Sequence, residues 1–183
     1  NDPAILNLPT ILRYPLAKLI SYRRAPVAKK IYEELGGSSP ILKLTKEQSE
    51  ALETKLNQTE ADNEYKCFII MRCWNPRAND VIKDVQLFNP EEIILMPLYP
   101  QYSAATSGSS IKEWKDICKK NKYQVKTSTI CCYPTDQNFI NAHTKEIIKK
   151  IKDLKNFKLI FSAHGLPEKN IKKGDPYQWQ VEQ

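Results

Sequence analysis

A single histidine follows an apolar segment near the end of the chain, and its position is the first indication of chemistry. Residues 159–161 are Leu-Ile-Phe, and His164 and Gly165 follow after two small residues. A histidine at such a point can ligate a metal ion, transfer a proton near neutral pH, or fill a core position. Gly165 would let a ligand approach the backbone closely. We interpret His164 as a candidate metal-binding or proton-transferring residue, with a structural role as the alternative.

A second candidate is the hydroxyl-rich stretch PLYPQYSAATSGSS at residues 97–110. It ends directly in a predicted helix, and the N–H groups and dipole of a helix N-terminus favour an anion. The glycine patterns of nucleotide-binding loops are absent from it. A bound carboxylate and an ordinary cap formed by Ser110 and Glu113 are both consistent with the stretch, and the cap is the simpler interpretation.

Segments with strand and helix patterns alternate along the chain from residue 65 onward. Short apolar runs predict strands, and apolar residues at helical spacing predict helices between them. The predicted strands are 65–74, 91–99, 123–133 and 157–165, and the predicted helices are 76–88, 109–120 and 135–154. This alternation is typical of α/β proteins and predicts a doubly wound parallel sheet.

The chain before residue 65 has a purely helical pattern. Two short amphipathic helices are predicted over residues 7–35, and Gly36-Gly37 is predicted to end the second. A further helix is predicted to begin at a capping box of Thr45 and Gln48 and to run to about Leu56.

The predicted topology brings several polar side chains to one edge of the sheet. Ligands of open α/β sheets bind beyond the carboxyl ends of the strands, and three predicted strands end there in unusual loops. The residues expected at this rim are Arg72, Tyr99, Tyr102, Ser103, Thr106 and His164. The other histidine, His143, lies in a lysine-rich helical pattern and is interpreted as a surface or packing residue.

Composition narrows the class of protein. The chain has 183 residues and a formal net charge of +7, from 28 Lys and Arg against 21 Asp and Glu. The charge favours anionic partners, but the lysines are scattered, and no basic stripe with aromatics indicates nucleic-acid binding.

Five cysteines without a CxxC pair predict reduced thiols and a cytoplasmic location. No apolar run is long enough to span a membrane. The chain begins with asparagine instead of methionine, so we expect residues before it.

Three segments of the chain resemble the ferrochelatase family, whose members insert ferrous iron into a porphyrin in the last step of haem synthesis. LYPQYSAATSGSS and FSAHGLP…KKGDPY are similar to two family signatures, and RRAPVAKKIYEELGGSSPI at residues 23–41 is similar to a third. Their order and spacing match those of the family and indicate a bacterial member. The resemblance implies that residues 1–183 form an N-terminal Rossmann-like chelatase domain, with porphyrin-lip helices at 8–35. It also implies a second, similar domain beyond Gln183, carrying an acidic residue that faces the histidine.

The resemblance implies roles for individual residues. His164 corresponds to the family histidine that binds the metal or accepts pyrrole protons, which makes it both the catalytic and the metal-binding candidate. The substrate-binding candidates, taken from the family match and from the rim, are Arg24, Tyr32, Ser39, Arg72, Tyr99, Tyr102 and Ser103. Glu168 and Asp175, in the loop after the histidine, are interpreted as turn and helix-start residues. Ferrous iron and protoporphyrin IX are the implied substrates, with coproporphyrin as the alternative. Within the lip helices, the segment 8–22 resembles the apolar lip at the pocket mouth, which implies peripheral contact with the inner membrane.

The chain departs from the family pattern at several positions. Cys73 and Asn75 replace a tyrosine and a histidine that often follow the cleft arginine. Ala104 stands where some members have a cysteine ligand of a two-iron, two-sulfur cluster, so no iron–sulfur cluster is expected. With one wall of the cleft, residues 1–183 alone are expected to be a poor catalyst. The alternative to a chelatase is a non-catalytic tetrapyrrole- or metal-binding module of the same fold.

Overall fold

The computed structural model describes residues 8–34, 36–60 and 62–183. The chain divides into two compact units, one ending at Asn89 and the other comprising Pro90–Gln183. The first unit contains the helices α1 (Thr10–Glu34), α2 (Ile41–Thr59) and α3 (Ala78–Phe88). The second contains β1 (Glu92–Leu95), a π-helical turn (Ala104–Gly108), α4 (Ser109–Lys120), β2 (Lys126–Thr129), α5 (Gln137–Ile151), α6 (Glu168–Lys172) and α7 (Tyr177–Glu182).

Helix α1 is one continuous helix of 25 residues, so the prediction of two short helices is wrong. Pro15 and Pro26 lie inside it. Each proline removes one backbone hydrogen bond, but its fixed φ of about −65° is compatible with a helix, and the helix continues through both. Apolar and basic side chains are distributed around α1, so it lacks the predicted amphipathic stripe. Residue 7 and Leu35, at the limits of the predicted helices, lie outside the described residues.

The predicted end of α1 is confirmed. Gly36 and Gly37 adopt φ values of 88° and 89°, which disfavour other residues. The N–H of Gly37 donates to the carbonyl of Tyr32 at 2.7 Å and satisfies one of the last helical carbonyls.

Helix α2 begins at Ile41, four residues before the predicted capping box, and reaches Thr59. Thr45 and Gln48 therefore lie inside the helix and do not cap it. The helix instead anchors the segment that follows it. The N–H of Tyr65 donates to Asn57 Oδ1 at 2.9 Å, and the N–H of Cys67 donates to Glu53 Oε2 at 2.6 Å.

Helix α3 confirms a predicted helix and supplies most of the buried apolar side chains among the described residues. Its buried stripe is Ala78, Val81, Ile82 and Val85, with Ile82 only 1% exposed. These positions follow the i, i+3, i+4, i+7 spacing that places side chains on one helical face. The helix begins at Ala78, two residues later than predicted, because Asp80 accepts from the N–H of Arg77 at 2.9 Å and caps the first turn.

The second unit contains a two-stranded parallel sheet in which β1 pairs with β2. The register pairs Glu92 with Lys126 and Leu95 with Thr129, and α4 forms the connection between the strands. A parallel pair joined through a helix is the βαβ arrangement. Hydrogen bonds from Lys126 and Ser128 lower the pKa of the Glu92 carboxyl at the start of the sheet. The chain is therefore an α/β protein with a small parallel sheet.

Two of the four predicted strands do not form. Among the described residues, β1 and β2 are the only paired strands, and 65–74 and 157–165 have no regular secondary structure. Residues 65–67 direct backbone N–H groups to side chains of α2, as described above, which competes with sheet pairing. In the 157–165 segment, the predicted apolar side chains are exposed, with Ile160 at 76% and Phe161 at 79%.

Helix α5 spans the centre of the predicted 135–154 helix and is capped by Asp136, whose Oδ1 accepts from the N–H of Phe139 at 2.9 Å. The Phe139 ring contacts Tyr133 at 5.6 Å and His143 at 4.4 Å between ring centroids. His143 is exposed and makes this edge-to-face contact, in keeping with its interpretation as a surface or packing residue. Within the described ranges, no helix has both the length and the apolarity needed to cross a bilayer.

Candidate functional site

The hydroxyl-rich stretch forms a tight turn that is organised by Ser103. Its Oγ accepts from the N–H of Ala105 at 3.2 Å, and its carbonyl accepts from the N–H groups of Thr106 and Gly108 at 3.1 and 3.0 Å. The side chain is buried, with 1% of its surface exposed. Ser103 therefore caps the π-helical turn that continues into α4. The predicted cap of Ser110 and Glu113 is wrong, because those residues already lie inside α4.

The anion at this helix start belongs to the protein itself. Asp175 Oδ2 accepts from the Ser103 hydroxyl at 2.9 Å and from the Ala104 N–H at 2.9 Å. A carboxylate at this position is favoured by the partial positive charge of the N-terminus. The predicted preference for an anion is thus met inside the chain, by a residue more than 70 positions away.

Asp175 also has the turn and helix-start role that the sequence predicts. Its N–H donates to the carbonyl of Asn170 at 3.1 Å, and its Oδ1 accepts from the N–H of Tyr177 at 3.1 Å. Both carboxylate oxygens are therefore engaged, one at the start of α7 and the other at Ser103 and Ala104.

A second contact from α7 reaches the same turn. Gln180 Oε1 accepts from the N–H of Tyr102 at 2.6 Å, and Gln180 Nε2 donates to Cys132 Sγ at 3.4 Å. We call the hydrogen bonds that Tyr102, Ser103 and Ala104 donate to Asp175 and Gln180 the loop clasp. It joins the two signature segments that the sequence singles out.

Close packing inside the turn depends on Gly108. A Cβ atom on this residue would lie 2.6 Å from Tyr102 Oη and 3.4 Å from the Ser103 carbonyl oxygen. No heavy-atom neighbour tolerates the shorter distance without moving. Gly108 therefore lets the Tyr102 ring lie across the start of α4.

His164 lies in an exposed segment without regular secondary structure, and the expected strand before it is not formed. Its Nδ1 lies 2.8 Å from the carbonyl oxygen of Gly165. Because a carbonyl only accepts, Nδ1 carries the proton in the neutral imidazole and Nε2 carries the lone pair. Nε2 is then the atom that can bind a metal ion or accept a proton.

No group of three or more His, Cys, Asp or Glu side chains converges on a possible metal position in the part of the chain that the structure describes. All five cysteines are free thiols, and burial raises the pKa values of Cys67 and Cys118. The expected lack of an iron–sulfur cluster stays a prediction.

The remaining candidates lie in different surroundings. Arg24 and Tyr32 are exposed on α1, and Ser39 is exposed just before α2, where its Oγ accepts from the N–H of Ile41 at 3.4 Å. Arg72 is half-buried after the 65–71 segment of the first unit. Tyr99 is 41% exposed.

The structure therefore brings only part of the expected rim together. Tyr102, Ser103 and Thr106 lie in one turn, which donates hydrogen bonds to Gln180 and Asp175. Arg72 lies in the first unit, whereas Tyr99 and His164 lie in the second. Their convergence with the turn stays a prediction.

Sequence reasoning missed the contribution of Asp175 and Gln180 to the site. The signal available was weak: Asp175 lies in the GDPY segment that carries the resemblance, and Gln180 follows five residues later. A glycine, an aspartate and a proline in succession indicate a turn, and a turn accounts for them locally. Nothing local indicates that the second carboxylate oxygen reaches Ser103.

Comparison with known proteins identifies the family. The family model described as ferrochelatase matches residues 1–183. A ferrochelatase of Pelagibacter ubique is 92% identical over the whole chain, which covers 53% of that protein. Ferrochelatases of Caulobacter vibrioides and Rickettsia bellii are each 47% identical, over 99% and 100% of the chain and 52% and 50% of their own lengths. The chain spans about half the length of these curated relatives. Because the match extends over its whole length, the chain belongs to the ferrochelatase family.

Proposed function

We propose that this chain is part of an enzyme that inserts ferrous iron into protoporphyrin IX to make protohaem. The observation that carries the proposal is the family match over all 183 residues. Two features of the site support it: a histidine with its Nε2 lone pair available, and a hydroxyl-rich turn beside two tyrosines. Iron and porphyrin are both substrates in this reaction.

Metal insertion requires a base, a metal ligand and a protein surface that fits the porphyrin. Metal insertion forms bonds from iron to the pyrrole nitrogens, releases two pyrrole protons and displaces water from the ion. A neutral imidazole can accept one of those protons or bind the incoming metal. His164 Nε2 is the atom we assign to this role, since Nδ1 faces the Gly165 carbonyl.

Porphyrin binding requires apolar walls and a few polar groups. A porphyrin is a flat apolar ring with two carboxylates, which suits aromatic side chains together with arginine or hydroxyl donors. We assign Tyr99 and Tyr102 to the ring, and Arg24, Tyr32, Ser39 and Arg72 to the polar contacts. Ser103 is buried and its hydroxyl is bonded to Asp175, so we assign it to shaping the turn that presents Tyr102. The exposure of Arg24 and Ser39 is compatible with direct contact to a ligand.

Helix α1 supports a peripheral location at the cytoplasmic face of the inner membrane. Its exposed apolar side chains include Ile11 at 86% and Val27 at 63%, and Lys18, Arg23 and Arg24 lie among them. Exposed apolar groups next to basic ones are typical of surfaces that lie on anionic lipid. A peripheral enzyme could receive its apolar substrate there.

For the fold, we propose the fuller doubly wound, Rossmann-like sheet for the chelatase domain comprising residues 1–183. The support is the strand-like pattern of 65–74 and 157–165. The exposed Ile160 and Phe161 are side chains that a larger sheet would bury.

The function is tested with the full-length protein, ferrous iron and protoporphyrin IX under anaerobic conditions. We expect loss of porphyrin fluorescence and appearance of the haem absorbance spectrum over many turnovers. Coproporphyrin in a parallel assay distinguishes the alternative substrate by its kcat/KM. Tight porphyrin binding without metal insertion would contradict the enzymatic function and favour the non-catalytic module.

Replacing Gly108 with alanine is expected to weaken porphyrin binding while leaving stability nearly unchanged. The new methyl group would displace the Tyr102 ring, because Tyr102 Oη lies 2.6 Å from the position that the added carbon would take. Gly108 has φ −59° and ψ −44°, which alanine also adopts, so the loss of backbone freedom in the unfolded chain should stabilise the variant by about 0.4–1 kcal/mol and offset the cost of the displacement. Fluorescence titration with porphyrin and urea unfolding measure the two effects. Ser110→Ala, in the first turn of α4, is the matched control, and unchanged porphyrin affinity in Gly108→Ala would remove Tyr102 from the binding surface.

A further inference from the structure

The loop clasp joins residues that are far apart in sequence. Asp175 lies in one signature segment and Gln180 lies three residues after it, whereas Tyr102, Ser103 and Ala104 lie in the other segment. Asp175 and Gln180 together accept three hydrogen bonds from Tyr102, Ser103 and Ala104. We propose that Asp175 and Gln180 are positioning residues that hold the Tyr102–Ala104 turn in its substrate-binding conformation. The proposal rests on the function proposed above, since it assigns the turn to porphyrin binding.

The geometry exceeds what a local turn requires. An aspartate that served only the start of α7 would need one oxygen, and Oδ1 supplies it to Tyr177 at 3.1 Å. Oδ2 is directed elsewhere and accepts two hydrogen bonds at 2.9 Å. Hydrogen bonds to an ionised acceptor are roughly twice as strong as neutral ones. The second oxygen thus has a role that the local turn does not explain.

The Ser103 hydroxyl and the Ala104 N–H both donate to Asp175, and their described contacts include no other acceptor for them. The Ser103 hydroxyl donates its single proton to Asp175 and uses a lone pair for the N–H of Ala105. Its side chain is almost fully buried, so water would replace the carboxylate poorly. Ala104 itself is exposed, but its N–H points to the same carboxylate oxygen.

Gln180 fixes the residue before Ser103. Its Oε1 accepts from the Tyr102 N–H at 2.6 Å, which sets the direction in which the Tyr102 ring leaves the backbone. Its Nε2 contact with Cys132 orients the amide, so that the oxygen faces the turn. Both residues therefore act on substrate contacts through the backbone of the turn and do not themselves touch the reacting atoms.

The test compares Asp175→Ala and Asp175→Asn with a carboxylate from the same segment. Glu168→Ala is the matched control, because Glu168 is exposed on α6 and pairs with Lys172 at 2.8 Å. Porphyrin affinity, kcat and KM are measured in the full-length protein, together with hydrogen–deuterium exchange of the 102–106 amides. Exchange reports on the turn directly and does not depend on enzymatic activity.

We expect Asp175→Ala to accelerate exchange of the 102–106 amides and to raise KM roughly tenfold, with kcat within about twofold of the wild type. Asp175→Asn should be intermediate, because its single oxygen can serve either Tyr177 or the turn. It also serves as the reporter if the alanine variant does not fold. Glu168→Ala should match the wild type in both measurements.

Three results would overturn the proposal. The first is unchanged exchange and unchanged KM in both Asp175 variants. The second is faster exchange with unchanged porphyrin affinity, which would make the clasp structural only. The third is an equal effect of Glu168→Ala. A wild-type protein that neither binds nor metallates porphyrin would instead refute the proposed function, and the exchange data would still decide whether Asp175 holds the turn.

Discussion

Replacing His164 with alanine is expected to reduce metal insertion by on the order of 10²–10⁴-fold, the usual contribution of a positioned acid–base group. The imidazole Nε2 carries the lone pair, because Nδ1 faces the Gly165 carbonyl at 2.8 Å. Porphyrin affinity should change little, since we assign His164 to the protons and the metal instead of the ring periphery. Stopped-flow insertion of ferrous iron or zinc, together with a porphyrin titration, separates the two effects.

His143→Ala is the matched control for that variant, because it removes the only other histidine in the chain. His143 packs against Phe139 at 4.4 Å, so its loss should cost about 0.5–1.5 kcal/mol of stability and leave turnover unchanged. Added imidazole should partly restore the His164→Ala variant if the lost group is a base or a ligand. Near-normal turnover of His164→Ala would remove His164 from the mechanism.

Arg24→Ala is expected to raise KM about tenfold and to change turnover much less. A hydrogen bond to a charged group contributes about 1.5–3 kcal/mol, and the lower end applies here because Arg24 is exposed on α1. An interaction made equally in the ground state and the transition state affects KM and leaves kcat unchanged. Steady-state kinetics with protoporphyrin IX as the varied substrate measure both constants.

Arg23→Ala is the control for charge. It removes the same guanidinium from the adjacent position, which points about 100° away around the helix. We expect a KM close to that of the wild type. An unchanged KM with collapsed turnover in Arg24→Ala would contradict its assignment to substrate binding, and equal effects of both variants would indicate a general electrostatic contribution.

Helices were the predictable part of the fold. The stripe of α3 at Ala78, Val81, Ile82 and Val85 is visible in the sequence as helical spacing, and 109–120 matches α4 residue for residue. Helices α3 and α4 both depend on contacts between residues three or four positions apart, and the apolar periodicity of the sequence indicates such contacts. The ends were less predictable, because the sequence offers Ser103, Ser107, Ser109 and Ser110 as plausible caps. Ser103 is the one whose side chain caps, and it does so at the π-helical turn before α4.

Strands and the loop clasp depend on partners far away in the chain. An apolar run indicates a strand, but whether it pairs depends on which groups compete for its N–H donors, as Glu53 does for Cys67. The contact of Asp175 with Ser103 spans 72 positions, and the sequence around either residue is explained without it. Local helices were therefore predicted better than contacts between residues far apart in the sequence.

The carboxylate of Asp175 has a consequence for how an anionic substrate is recognised. It accepts a hydrogen bond from the Ala104 N–H, and Ser103 accepts hydrogen bonds from the N–H groups of Ala105, Thr106 and Gly108. These four backbone donors therefore already have acceptors within the chain. For the proposed porphyrin substrate, exposed cationic side chains such as Arg24 are then the available counter-charges. Such attraction is screened over about 8 Å at physiological ionic strength. Under the proposed function, porphyrin capture by the full-length protein should consequently be sensitive to ionic strength, whereas the geometry of the turn should not.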